Sequence, residues 1–286
     1  MRASRRQSVR TIAGERGFTL VELLITVAIT TVVMGATMAA LSHATRAAET
    51  ATLMTGLNGG LRTAMDLIVR DMLQVGQGLP AGRVVLIPSG NGAQPIRLPG
   101  PPGTNLQLAG ATELTAIIPG PGLGPVINGQ PTDIITTLQA DSAFDQVRLT
   151  AIATNGSSIS VDPAVNLNDG NADDIRPGDL IMLTKGSFSA LAQVTRVVGQ
   201  QVFFEAGDSL NLNQSGVAAQ GTVQWIRNEP PTSLVGGFLA TTATRIRMIS
   251  YYIDAVTDPQ RPRLVRRLNN GHPTQFDNTL GTAVAF

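Results

Sequence analysis

The chain of 286 residues has no cysteine. That excludes a disulfide framework, thiolate zinc sites, iron–sulfur clusters and a cysteine nucleophile. Histidine is nearly absent too: His43 and His272 are the only two, too few for a multi-histidine metal centre. Lys185 is the single lysine among 21 basic residues. Charged residues make up 14%, against roughly 25% in an average soluble domain. The net charge of +1 argues against a general nucleic-acid-binding protein, which carries a basic stripe. Aromatic residues are 4%, yet hydrophobic residues reach 43%, so the chain is not of the disordered class.

What charge there is has been placed unevenly. Arg2, Arg5, Arg6, Arg10 and Arg16 stand against Glu15 alone in residues 1–17, a net of +4. The remaining 16 bases and 19 acids give −3. Directly after this basic arm runs Phe18 to Leu41, 24 residues with one charge, Glu22. As a helix it would span roughly 36 Å, enough for a ~30 Å hydrocarbon layer. The arginines place residues 1–17 on the cytoplasmic side and everything beyond Leu41 across the membrane. A cleaved secretory signal fits poorly, because its apolar region is about 7–15 residues long and the sites near Thr45-Arg46-Ala47 are unsuitable. A plain signal anchor explains the length and the arginines but not Glu22. A carboxylate costs ~2.5–3.5 kcal/mol at the bilayer centre and less near the interface, so an acid here asks for a partner.

The residues around that acid, Gly17-Phe18-Thr19-Leu20-Val21-Glu22, supply a reading. The segment resembles the N-terminal signature of type IV pilins and type II secretion pseudopilins: a basic leader ending in glycine, then phenylalanine, an apolar run, and glutamate at the fifth mature position. The resemblance implies cleavage between Gly17 and Phe18 by a prepilin peptidase that also methylates the new amine. It implies that Glu22 faces the charged amine of a neighbouring subunit in a filament. The physics agrees: a cation and an acid at a helix N-terminus are each costly alone in an apolar bundle, and pairing them sets register.

The helix is expected to continue. No proline occurs between Ser42 and Gly76. Leu53, Leu57, Leu61, Ala64, Met65, Ile68, Met72 and Val75 recur at steps of three and four, one face of a helix expected to pack on the following sheet. Gly56, Gly59 and Gly60 mark a softening. Then the composition changes: ten of the 17 prolines lie between Pro80 and Pro131, and 88–103 and 119–131 read as loops. Strands rich in Val, Ile and Thr are expected at 83–87, 113–118, 133–138, 146–153, 157–161, 179–184, 190–198, 201–205, 222–227, 245–253 and 263–268, with Gly199-Gln200 as a hairpin turn.

The expected fold class is therefore α+β, a long N-terminal helix packed on a β-rich head. Its parts are a cleaved leader 1–17, a transmembrane half 18–41, an amphipathic half 42–76 and a head 77–286. Leu61–Gln77, Thr132–Thr136, Pro177–Ile181 and Leu264–Arg267 with Asn269-Asn270-Gly271 resemble PilW-like minor pilins. Such proteins tend to continue with another strand, so the C-terminus reads as truncated.

Chemistry in the head is sparse. Asp169, Asn171 and Asp173 alternate as in a calcium loop, but Asp174 stands where the loop needs glycine and Leu180 where it needs an acid, so a solvated turn is the better reading. The run Arg261, Arg263, Arg266, Arg267 reads as a solvated strand face, since no aromatic residues interleave it for nucleic-acid stacking. Trp225, Tyr251 and Tyr252 read as core. Neither histidine sits in a nucleophile motif.

The resemblance thus implies a minor type IV pilin, a non-enzymatic subunit without cofactor. It would lie in the inner membrane with its head in the periplasm, then move to the pilus on the cell surface. Its partners would be the prepilin peptidase, other minor and major pilins and the inner-membrane assembly platform, with no specific nucleic acid. The alternatives are a type II secretion minor pseudopilin (GspJ-like) and a membrane-anchored periplasmic binding protein or enzyme.

Overall fold

A computed structural model describes residues 17–80, 84–90, 92–104, 106–141, 144, 146–167 and 174–270. The first element is α1, Leu20–Gln74, a helix of 55 residues. Nothing in its sequence stops it: the first proline comes at Pro80, and Gly35, Gly56 and Gly59 are accommodated with open space around them. Its most apolar 18-residue window has a mean hydropathy of 2.1, long and apolar enough to cross a membrane. Internal contacts divide the chain into two units, 1–60 and 61–286, and the division falls inside α1.

Sixteen strands and one short helix follow among the described residues. Seven strands are brief: β1 (Val84–Leu86), β2 (Ile96–Leu98), β3 (Leu106–Leu108), β4 (Glu113–Thr115), β5 (Ile117–Gly120), β6 (Val126–Ile127) and β7 (Gln130–Pro131). Then come β8 (Ile134–Ala140), β9 (Val147–Ile152), β10 (Ser158–Val161), β11 (Leu180–Lys185), β12 (Phe188–Gln193), β13 (Arg196–Val198) and β14 (Gln201–Phe203). Helix α2 (Val223–Asn228), β15 (Thr242–Asp254) and β16 (Arg263–Leu268) complete the order.

Ten of these strands form one antiparallel sheet, and β15 is its spine. Along its 13 residues it pairs with β9 and then β8 on one side, and with β11 and then β16 on the other. Alternation along β15 sorts its neighbours. Ile246 and Met248 join Val85 and Ile87 of β1 and its flank and Ile96 and Leu98 of β2 in one apolar cluster. Tyr252 packs with Ile134 and Val265. Ala243, nearer the strand's start, belongs to a second large cluster with Leu149, Ile181, Phe204 and Ile226.

Residues on the alternate face of β15 meet the end of α1. Tyr251 Oη donates to Asp71 Oδ2 at 2.6 Å, and Arg266 Nε donates to the same oxygen at 2.6 Å. One turn on, Gln139 Nε2 donates to Gln74 Oε1, and Gly76 N donates to the Leu138 carbonyl. The helix tail therefore runs antiparallel to β15, held by polar contacts centred on the buried Asp71, which is 2% exposed.

The expected apolar stripe divides. Ala64 is buried, and Ile68, Met72 and Val75 are half-buried. Leu53, Leu57, Leu61 and Met65 are exposed, contrary to the expectation of core packing. The residue that completes the packed face is Asp71, which no hydrophobic count would select.

Several expected strands are corrected. The expected strand 222–227 is instead the cap and body of α2 (Val223–Asn228): Thr222 Oγ1 accepts from Trp225 N as an N-cap, and Val223 and Ile226 bury one face at a spacing of three. The expected strand 113–118 breaks at Ala116 into β4 and β5, and 190–198 breaks after Gln193 into β12 and β13. The stretches 88–103 and 119–131 are not wholly loops, since β2, β6 and β7 lie within them. The Gly199-Gln200 turn is present, joining β13 and β14 with Val198 opposite Gln201 and Gly199 at φ 56.

Candidate functional site

The processing and assembly residues singled out from sequence gather at the start of α1. Gly17, Phe18 and Thr19 precede the helix without regular secondary structure. Phe18 is 81% exposed, and among the described residues nothing lies within 4 Å of where a Gly17 side chain would stand. Thr19 caps the helix. Its backbone N and its Oγ1 both donate to Glu22 Oε2 at 3.0 Å, and Glu22 N returns a bond to Thr19 Oγ1 at 3.3 Å. This is a capping box, which satisfies two otherwise orphaned donors of the first turn. In the single chain, Glu22 thus already has a partner inside its own segment. Sequence reasoning assigned the acid to a neighbour and the helix dipole, and missed Thr19; the Thr-x-x-Glu spacing was the available signal.

The same economy continues up the helix. Thr26 Oγ1 donates to the Glu22 carbonyl at 2.7 Å, Thr30 to the Thr26 carbonyl at 2.7 Å, and Thr31 to the Val27 carbonyl at 2.8 Å. Each hydroxyl is satisfied within the helix, so threonines can stand in an apolar layer without an external partner.

Elsewhere the described sequence candidates do not assemble into a catalytic or metal centre. Among the described residues no group of three or more histidine, aspartate or glutamate side chains could hold a metal ion. Asp169, Asn171, Asp173 and His272 lie outside the described residues, and His43 is an exposed residue within α1. The basic run, expected to be a solvated strand face, is not one: Arg266 is committed to Asp71, and Arg267 Nη1 donates to the Gly100 carbonyl at 2.6 Å. Trp225 is half-buried and meets Phe188 edge-on at 5.3 Å, and Tyr251 and Tyr252 are buried, as expected of core residues. Burial, then the hydrogen bond and charge of Asp71, push the Tyr251 phenol well above its usual range.

Nothing in the sequence around Lys185 marks it beyond its being the single lysine. It is buried, and its Nζ donates to the carbonyls of Ile226, Arg227 and Glu229, the open end of α2. Burial pushes its ammonium below the usual lysine range. Two of the looser sequence motifs also meet through a third residue: Gln193 Nε2 donates at 3.3 Å to Gly178 O of the Pro177-Gly178 turn and at 3.3 Å to Asn269 O after β16. Asn269 Oδ1 in turn accepts from Met248 N.

Comparison with known proteins bears on the N-terminal segment alone. The prokaryotic N-terminal methylation motif matches residues 12–38, a stretch that includes Gly17, Phe18, Thr19 and Glu22. No curated protein and no solved structure gives a significant match. The motif implies processing by a prepilin peptidase and handling by membrane assembly machinery. With the apolar helix it fits a single-pass inner-membrane protein. The chain carries a type IV pilin-like signature at the head of an α+β fold of pilin-like order, and that signature speaks for a structural protein rather than an enzyme.

Proposed function

We propose that this chain is a PilW-like minor type IV pilin, cut between Gly17 and Phe18, methylated on Phe18, and built into a pilus by helix packing. The observation that carries the reading is the methylation motif at residues 12–38, sited where the basic arm gives way to α1. The parts follow from it: a leader 1–17, a membrane half 18–41, an amphipathic half 42–76 and a head from 77 onward, with the leader cytoplasmic and the head periplasmic. In the precursor Glu22 is occupied by Thr19. In the filament the carboxylate exchanges that neutral partner for the methylated amine of a neighbour, a charged partner that binds it more strongly in an apolar bundle. Such a subunit, with other minor pilins, primes assembly and supports adhesion, twitching motility or DNA uptake.

The deciding measurement is the N-terminal residue and mass of the protein from its host, by mass spectrometry. A start at N-methyl-Phe18 supports the reading. An intact Met1, or a start near Ala47, removes it. The same motif serves type II secretion pseudopilins, and gene neighbours separate the two: other minor pilins and a large adhesin, or a secretion operon.

A further inference from the structure

We propose that the head carries an oxyanion-binding recess between Arg97 and Arg267. Both arginines line a recess of about 440 Å³, with the Pro101–Thr104 turn as one wall and Ser209 and Asn270 opposite. That volume lies within the roughly 300–1,000 Å³ of small-molecule sites. No acid lines it.

The two guanidinium groups are held differently. Arg97 is the exposed middle residue of β2, between buried Ile96 and Leu98, so alternation turns its side chain away from the core. Its backbone is fixed by a 2.7 Å bond to the Leu210 carbonyl. Among the described residues its guanidinium has no hydrogen-bond or ion-pair partner. Arg267 is anchored, with Nη1 on Gly100 O and Nη2 on Asn270 O, while its Nε is buried without a partner. Its acceptors are neutral carbonyls, so its charge is not cancelled.

Two like charges sharing one recess repel, and a carboxylate normally stands between them; among the described residues none does here. An oxyanion placed between them removes the repulsion and gains charge-assisted hydrogen bonds. The wall is already shaped. Thr104 N and Oγ1 both bond the Pro101 carbonyl, at 3.1 and 2.6 Å, and a side chain at Gly100 would strike Leu106 and Thr104. Among the described residues no aromatic ring lines the recess, so a neutral sugar finds no stacking platform there. The ligand is therefore a small group bearing a carboxylate or a phosphate. The surrounding body is slightly acidic, which makes this positive site a local feature.

The test is isothermal titration calorimetry on the full chain in detergent micelles at low salt, with inorganic phosphate, D-galacturonate and neutral D-galactose as probes. Millimolar binding of at least one anion is expected, with none for galactose. Arg97→Gln should weaken the anion about tenfold or more, and Arg97→Lys, which keeps the charge, should weaken it by less. Because Arg97 is exposed, an unchanged melting curve for Arg97→Gln shows that the fold survives. Tighter phosphate points to phosphate esters, and tighter galacturonate to a uronate-bearing polymer. Absence of binding by both anions, equal binding of galactose, or full affinity in Arg97→Gln would each overturn the proposal.

Discussion

Tyr251 Oη stands 2.6 Å from Asp71 Oδ2, joining the spine of the sheet to the tail of the long helix across 180 residues of sequence. Arg266 Nε meets the same oxygen from the next strand, so one carboxylate holds three elements.

Asp71→Ala should therefore be costly. Removing one member of a buried pair leaves a charge uncompensated, at about 3–5 kcal/mol, and the partial exposure of Arg266 puts this case near the lower end. Tyr251→Phe removes one hydrogen bond and should cost about 1–1.5 kcal/mol. Denaturant unfolding of both variants in micelles tests this; a loss below about 1 kcal/mol for Asp71→Ala would show the junction to be dispensable.

The same contact sets an alkaline limit. The Tyr251 pKa is raised, so its contribution to stability is fully present below the unfolded value of about 10 and is lost as pH climbs past it. The melting temperature of the native protein should fall more steeply above pH 10 than that of Tyr251→Phe. At the other extreme, burial raises Asp254, but hydrogen bonds from Thr257 and Val256 and the nearby Arg263 outweigh it and hold the pKa down. Its contribution is present above the unfolded value of about 4 and lost as pH falls through the acid range. Asp254→Asn should flatten the acid limb of the same melting profile.

At the N-terminus, Thr19→Ala removes both the cap and the hydroxyl that occupies Glu22. The first turn of α1 should fray, at a cost of about 1 kcal/mol, seen as faster amide exchange at residues 20–23 in micelles. Glu22→Ala should leave membrane insertion intact and impair incorporation into the filament. Normal incorporation would contradict the pairing of Glu22 with a neighbour's amine.

Gly221 sits at φ 78, and a Cβ there would run into the backbone carbonyl of Ile87. Gly221→Ala should lose about 1–3 kcal/mol from the backbone conformation alone, with the overlap in addition. A melting temperature equal to that of the native protein would contradict this packing.

Sequence periodicity reached the elements whose pattern is local. The helix follows from an apolar run without proline, and β15 from alternating Ile246, Met248 and Tyr252. Val223, Trp225 and Ile226 looked like a strand by composition, and one hydroxyl at Thr222 reversed the outcome. Arg266 looked solvated because its partner lies 195 residues earlier, beyond the reach of any window. At the N-terminus Glu22 stood out as a lone acid in an apolar run, whereas Thr19 did not, since threonine is common there and only its spacing from Glu22 carries the meaning.

The position of β15 in the chain also orders events in time. A polypeptide made from its N-terminus forward finishes α1 early, because every helical bond closes within a few residues. The spine of the sheet begins only at Thr242, and its last partner ends at Leu268. Strands β8, β9 and β11 must wait, unpaired on the side that β15 will fill, until nearly the whole chain has been delivered. The head is thus a late-closing body behind an early-finished helix, with strand edges left open to mispairing until β15 arrives.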